Sequence, residues 1–415
     1  MNPYYILMGA ISYYFCNMNG SSKVMMSFMP EVSEFDFFAS GLENVIMWLL
    51  DNNHEFEFDI IDERYRGEII KLVEYYNAFF DCKKTDNTNF DDFRSCVYKK
   101  GNDREILFTD IILAILKKKI YNSCINLMPL YSSIDKNDWI PTFKNNKVMK
   151  EMWSSQLLLG KEGVFNGKSG VIQMPTSSGK TTSILLAIQA AFLSHRTSVV
   201  VVVAPFRALC KEIIFEIENF FEFDENILVT EFSDIPESSE IKLVESDLVR
   251  NKIFVMTPEK LEFILKYHTG IVENINMIIF DEAHLFDDES RGTDYELLLT
   301  TINRYLKPDA QKLLISAVIS NAEQLNEWIN NNGMVIKNNS IKTSEKVVAF
   351  NTFTSTDINN VQSNLHFVDP NKYLEEEFYV PRVVKTEVLN KKGNERKKRY
   401  FPDIENIKQD VGIYY

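Results

Sequence analysis

The sequence predicts an α/β protein, a parallel sheet wound with helices and preceded by a mostly helical region. Three observations carry that expectation. Short, continuously apolar and β-branched runs alternate with helical stretches from about residue 143 to 335, the texture of strands buried on both faces. Residues 170–183, GVIQMPTSSGKTTS, have the strand–loop–helix order of a phosphate-binding loop. Residues 1–140 repeat apolar side chains at helical spacing instead.

The chain has 415 residues, 45% hydrophobic and 25% charged. That is enough for about two to three domains of ~150 residues each, with real cores. The net charge of −14 removes any global positive field but still permits a local basic groove. The five cysteines are scattered and never spaced as CxxC, which fits a reducing cytoplasm and neither a zinc site nor a disulfide framework. The apolar N-terminus lacks a basic region before it and a small-residue cleavage pattern, so it predicts a first helix, not a signal peptide. No apolar run approaches 18 residues, so no membrane span is expected.

In chain order, an accessory helical domain is expected over 1–140, with Val45, Trp48, Leu49, Ile69, Leu72, Ile111 and Ile115 on its apolar faces. Polar breaks at 17–22, 83–89 and 100–103 divide its helices, and His54 reads as a surface residue. A nucleotide-binding lobe follows over 141–340. Its predicted strands are 171–172, 199–204, 227–229, 253–256, 277–280 and 313–316, with the ligand at their carboxyl ends. The remainder, 341–415, reads as a linker, irregular over 340–370 apart from the apolar run 347–350, then a hairpin with a basic tip near 390–398 and a helix starting at Asp410. That helix would fit the opening of a further lobe, cut off.

The phosphate-binding loop supplies the chemistry. Thr176, Ser177, Ser178 and Gly179 let successive backbone N–H groups converge, and the helix beginning at Lys180 adds its positive dipole end. Lys180 would reach the β- and γ-phosphates, the Thr181 hydroxyl would hold Mg²⁺, and Thr182 stands beside it. The strict pattern has Gly where this chain has Met174. About a hundred residues on, Asp281, Glu282, Ala283 and His284 end an apolar strand. Asp281 would hold Mg²⁺, and Glu282 would polarise the attacking water. No other His or Cys stands at zinc-ligand spacing from His284.

PTSSGKT followed by DEAH resembles the motor of superfamily 2 helicases, so the fold implied is a RecA-like P-loop lobe using ATP and Mg²⁺. APFRAL at 204–209 resembles motif Ia and TPEKL at 257–261 resembles motif Ib. In that superfamily these loops grip a sugar–phosphate backbone, which the resemblance implies for Pro205, Arg207, Thr257 and Pro258. Gln156 resembles the glutamine that reads adenine. Ser316, Ala317 and Val318 stand where the family has Ser-Ala-Thr, so a threonine hydroxyl is missing from motif III. The Asn321 to Trp328 stretch, PTSSGKT and TPEKL favour the Ski-type branch. A narrower resemblance is to the helicase subunit of the Hachiman anti-phage defence system. The function implied is an ATP-dependent helicase or translocase on single-stranded DNA or RNA, weak alone and completed by a second RecA-like lobe. The alternative is a nucleotide-binding regulatory subunit controlling a partner such as a nuclease.

Overall fold

The computed structural model describes the chain except residues 1, 32–33, 52–55, 84–89, 146–147, 176–177, 223, 232–249, 268–271, 273, 285–291, 318, 320, 331–332, 338–348, 358–359, 368–374, 381–383, 390–395, 402–410 and 415. At 293–294 and beyond 337 it describes backbone only. The predicted Thr176, Ser177, Val318, His54 and hairpin tip therefore lie outside the described residues. Two compact units result, 1–343 and 344–415.

Among the described residues, the first unit opens with eight α-helices: α1 (Pro3–Phe15), α2 (Asn19–Met26), α3 (Leu42–Leu50), α4 (Glu63–Phe80), α5 (Phe90–Lys100), α6 (Asp103–Tyr121), α7 (Cys124–Ser132) and α8 (Lys136–Phe143). Local signals place their ends. Pro3 follows the Asn2 cap, and Asn102 and Glu105 form a reciprocal capping box on α6. The predicted break at 17–22 is shorter than expected, because α2 already runs through Gly20, Ser21 and Ser22. The buried Ser22 hydroxyl donates to the Ala10 carbonyl at 2.8 Å, so packing against α1 overrides the residue's turn preference.

The nucleotide-lobe region adds α9 (Ser154–Glu162), α10 (Lys180–Leu193), α11 (Arg207–Phe220), α12 (Pro258–Tyr267), α13 (Gly292–Tyr305) and α14 (Ala322–Asn330). Between them lie β1 (Gly170–Gln173), β2 (Val199–Val203), β3 (Ile227–Glu231), β4 (Asn251–Met256), β5 (Met277–Phe280), β6 (Gln311–Ser316) and β7 (Met334–Ile336). All pair in parallel, in the order β3-β4-β2-β5-β6-β1-β7. The α/β class is as the sequence predicts, with β7 added at the edge.

The valine run of β2 shows why the sheet is buried twice over. Val200 and Val202 join a core shared with α10, α11 and the N-terminal helices. Val199, Val201 and Val203 join the opposite core, with Leu261, Ile264, Leu298, Ile302 and Ile329 from α12, α13 and α14. Period-two alternation thus sorts each strand between two helical layers. The side chains of residues 1–140 are continuous with the first of these cores.

In the second unit, β8 (Ala349–Asp357), β9 (Asn360–Phe367), β10 (Glu375–Val380) and β13 (Val411–Tyr414) form an antiparallel sheet ordered β10-β9-β8-β13. β11 (Val384–Leu389) and β12 (Arg396–Phe401) make a separate hairpin, Leu389 opposite Arg396. Two expectations are corrected here. Residues 340–370 are not irregular throughout, and the chain after Asp410 forms a strand on β8 instead of a helix.

Candidate nucleotide and nucleic-acid site

Sheet order decides what the motifs can do together. The carboxyl ends of β4, β2, β5, β6 and β1 lie side by side, so the loops after them share one edge. Cross-links hold that edge in register. Ala204 N–H donates to the Met256 carbonyl at 3.0 Å, Asp281 N–H to Val203 at 2.9 Å, and Met174 N–H to Ser316 at 2.8 Å.

β1 runs into Met174, which is fully buried, so the residue replacing the pattern's first Gly serves as a core side chain. Ser178 is buried, and its hydroxyl donates to the Pro175 carbonyl at 2.7 Å. Gly179 has φ +83°, a left-handed conformation, and α10 begins at once with no side-chain cap. Its first-turn N–H groups face the side where a phosphate would sit, with Lys180, Thr181 and Thr182 in that turn. Gln156 lies behind the loop, fully buried. Its Oε1 accepts from Trp153 N–H at 3.0 Å, while its Nε2 donates to the Gly179 carbonyl at 3.0 Å and the Ser183 hydroxyl at 3.1 Å. The neighbouring Ser155 hydroxyl donates to the Ser178 carbonyl at 2.5 Å. Both ends of the Gln156 amide are thus engaged, and it staples α9 to the loop before α10.

Across the edge, β5 delivers Asp281 and Glu282. Asp281 is half-buried, and its Oδ1 is buried with no hydrogen-bond partner among the described residues. Burial first, and then the neighbouring Glu282 charge, push its carboxyl above the usual carboxylate range. A buried, unpartnered carboxylate oxygen within the field of Lys180 at the start of α10 is the chemistry a hard divalent cation selects, so Asp281 fits Mg²⁺. The described residues hold no cluster of three or more His, Cys, Asp or Glu suited to a metal by itself. Glu282 has φ +53°, sparsely populated for a residue with a side chain. Its Oε1 meets Lys180 Nζ at 3.1 Å, and its Oε2 lies 3.2 Å from His284 Nδ1. The same His284 nitrogen lies 3.1 Å from the Ser316 hydroxyl at the end of β6. One polar chain, Lys180–Glu282–His284–Ser316, thus joins the ends of β1, β5 and β6.

The loops after β2 and β4 build a separate cleft of about 470 Å³. Pro205, Arg207 and Thr257 line it, whereas Pro258 is buried as the first residue of α12 and does not. The sequence reading missed Phe206, Glu259, Lys260 and Phe263, which complete the walls. A signal for Phe206 existed, since an aromatic inside a loop between a strand and a helix has no core face to fill. α11 and α12 both begin at the cleft, so two positive helix ends add to Arg207.

Residues 155–325 match the family of DEAD/DEAH box helicases. The chain is 27% identical over 239 residues to the Hachiman protein HamB of Bacillus cereus, covering 56% of this chain and 20% of that protein. It is 28% identical over 166 residues to the ATP-dependent DNA helicase Hel308 of Thermoplasma volcanium, covering 40% and 23%. Against Hel308 of Thermococcus kodakarensis it is 29% identical over 181 residues, covering 44% and 15%. The chain thus spans about a fifth of the length of these relatives. Among solved structures, a hypothetical ATP-dependent RNA helicase from Sulfolobus tokodaii matches at 20% identity and TM-score 0.38, covering 48% of this chain and 56% of that one. The DUF1998 helicase MrfA bound to DNA matches at 21% identity and TM-score 0.39, covering 50% and 30%. The loop and the acidic strand end lie on one sheet edge, and both fall within the residues that match the DEAD/DEAH box helicases.

Proposed function

We propose that this chain supplies the ATP-binding half of a motor that moves along, or unwinds, single-stranded DNA or RNA. The observation that carries the reading is the Lys180–Glu282–His284–Ser316 chain, because it links the phosphate loop to the acidic strand end and to β6. In this reading Lys180 leaves Glu282 for the β- and γ-phosphates, which frees Glu282 to orient the attacking water and accept its proton. Asp281 and Thr181 would hold Mg²⁺, which would supply neutralisation of charge growing on the γ-phosphate. His284 passes the altered position of Glu282 to Ser316. Arg207, Pro205 and Thr257 hold the strand, with Pro258 fixing the start of α12.

A second RecA-like lobe, on further chain or on another subunit, would contribute the arginine that faces the γ-phosphate. Such an arginine accounts for ~10³–10⁵ in rate, so slow turnover is expected from these residues by themselves. The likeness to the Hachiman protein HamB supports a place in bacterial defence against phage, and this proposal includes a partner subunit such as a nuclease.

The test is ATP turnover of the chain with and without single-stranded DNA or RNA, beside Glu282→Gln. Binding of ATP with turnover abolished by Glu282→Gln supports the assignment. Turnover unchanged by that substitution, or Lys180→Ala binding ATP as tightly as the parent, would sink it. Loss of plaque protection in Lys180→Ala tests the defence role separately.

A further inference from the structure

The far end of α10 borders another cleft, of about 580 Å³, which none of the motor residues lines. Gln189 stands in its wall, about 14 Å along α10 from Lys180 at ~1.5 Å per residue. Three helices end there. Thr142 comes from the last turn of α8, Leu193 closes α10 and Phe220 closes α11. Each end carries the negative pole of its helix. Asp138 and Asp224 add two carboxylates and Lys144 one ammonium, so the cleft is negative on balance. Leu193, Phe220 and Phe221 give it apolar walls. Asn145 Nδ2 donates to the Phe220 carbonyl at 2.8 Å, which ties the chain after α8 to the end of α11.

Gln189 itself points to a ligand. It is 6% exposed, and its Nε2 donates to the Thr142 hydroxyl at 2.8 Å. Its Oε1 is buried and has no hydrogen-bond partner among the described residues. A buried acceptor without a donor is costly, so this oxygen marks a place for one. We infer that the cleft binds a small organic ammonium ion with an apolar body. The ammonium donates to Gln189 Oε1 and is balanced by Asp138 and Asp224. The body lies against Leu193, Phe220 and Phe221, whose rings also attract the cation. The volume falls in the range of small-ligand sites. An anion would meet three negative helix ends. A bare metal ion would leave the rings uncovered, and the described residues hold no cluster of three or more His, Cys, Asp or Glu to ligate it. A neutral donor would gain nothing from the two carboxylates.

The experiment is isothermal titration calorimetry of the full chain without nucleotide. Tryptamine is compared with tryptophol, which carries a neutral hydroxyl in place of the ammonium, and with indole-3-acetate, an anion. Tryptamine should bind at one site, at least about 10-fold more tightly than tryptophol, and indole-3-acetate should not bind. Gln189→Leu removes the acceptor and should weaken tryptamine at least about 10-fold. Asp224→Asn should weaken it about 2- to 5-fold, and Lys144→Gln should tighten it by a similar factor. These two positions are less buried, so they decide the matter should Gln189→Leu fail to fold. Equal affinity for tryptamine and tryptophol, binding of neither, or tryptamine affinity unmoved by Asp224→Asn and Lys144→Gln overturns the assignment. Lys180→Ala should bind tryptamine as the parent does. Loss of binding in that variant would put the amine in the nucleotide site and overturn the inference, whereas the ATP-turnover test stands or falls separately.

Discussion

Replacing Gly179 by Ala tests whether the phosphate-binding loop is held from behind by Gln156. At φ +83° a Cβ is disfavoured by about 1–2 kcal/mol on backbone grounds alone. The added carbon would also stand 2.6 Å from Gln156 Nε2, too close for any real contact, so the amide must leave. Its bonds to the Gly179 carbonyl and the Ser183 hydroxyl go with it, at about 1 kcal/mol each. The expected loss is therefore about 3–4 kcal/mol in denaturant unfolding, with weaker binding of a fluorescent ATP analogue. Gln156→Ala removes the same bonds without the backbone strain. Because those bonds can be lost only once, the double variant should fall short of the summed single losses by about 1–2 kcal/mol. Losses that add to within about 0.5 kcal/mol would refute the coupling, as would Gly179→Ala with parental stability and affinity.

Asp281 sets stability against function in a pH-dependent way. Its carboxyl is raised above the ordinary value, so ionising it in the fold is unfavourable, and the chain loses stability as pH rises through the folded value. Asp281→Asn should raise the melting temperature in Mg²⁺-free buffer at neutral pH and abolish ATP turnover. The melting gain should shrink as pH falls and the carboxyl protonates; a gain independent of pH would contradict the assignment. Glu151 accepts from the Tyr14 hydroxyl at 2.8 Å and meets Lys119 Nζ at 3.4 Å, with the lysine side chain 13% exposed. Glu151→Ala leaves that ammonium in an apolar setting and should cost about 3–5 kcal/mol by chemical denaturation. Adding Lys119→Met should recover most of the loss, and failure to recover would show that the pair matters for packing instead of charge.

What was legible in advance follows from how local each signal is. The run of five valines in β2 specifies a doubly buried strand by itself, and the left-handed Gly179 that opens α10 is marked by its own residue type. Less was legible where a partner is distant in sequence. Met334–Ile336 is three residues long and becomes a strand because β1 offers it a parallel edge from more than a hundred and fifty positions away. Residues 349–357 and 360–367 look irregular in sequence, yet they pair with each other antiparallel. Val411–Tyr414 looks like a helix start and instead closes on β8. Each of these obtains its backbone hydrogen bonds from elsewhere in the chain, so local propensity could not decide it.

The same division runs through the site. By itself the sequence determined the α/β class and singled out Lys180, Thr181, Asp281, Glu282 and Arg207, since each belongs to a short pattern whose chemistry is set by neighbours in the chain. Only the tertiary structure decided that Gln156 braces the phosphate loop, that Pro258 is buried while Phe206 and Phe263 line the cleft, and that His284 bridges Glu282 to Ser316. The physical reason is the strand order. It sets β5, β6 and β1 side by side although their sequence order is different, and a side chain's partner is whatever the sheet brings within hydrogen-bond reach of it.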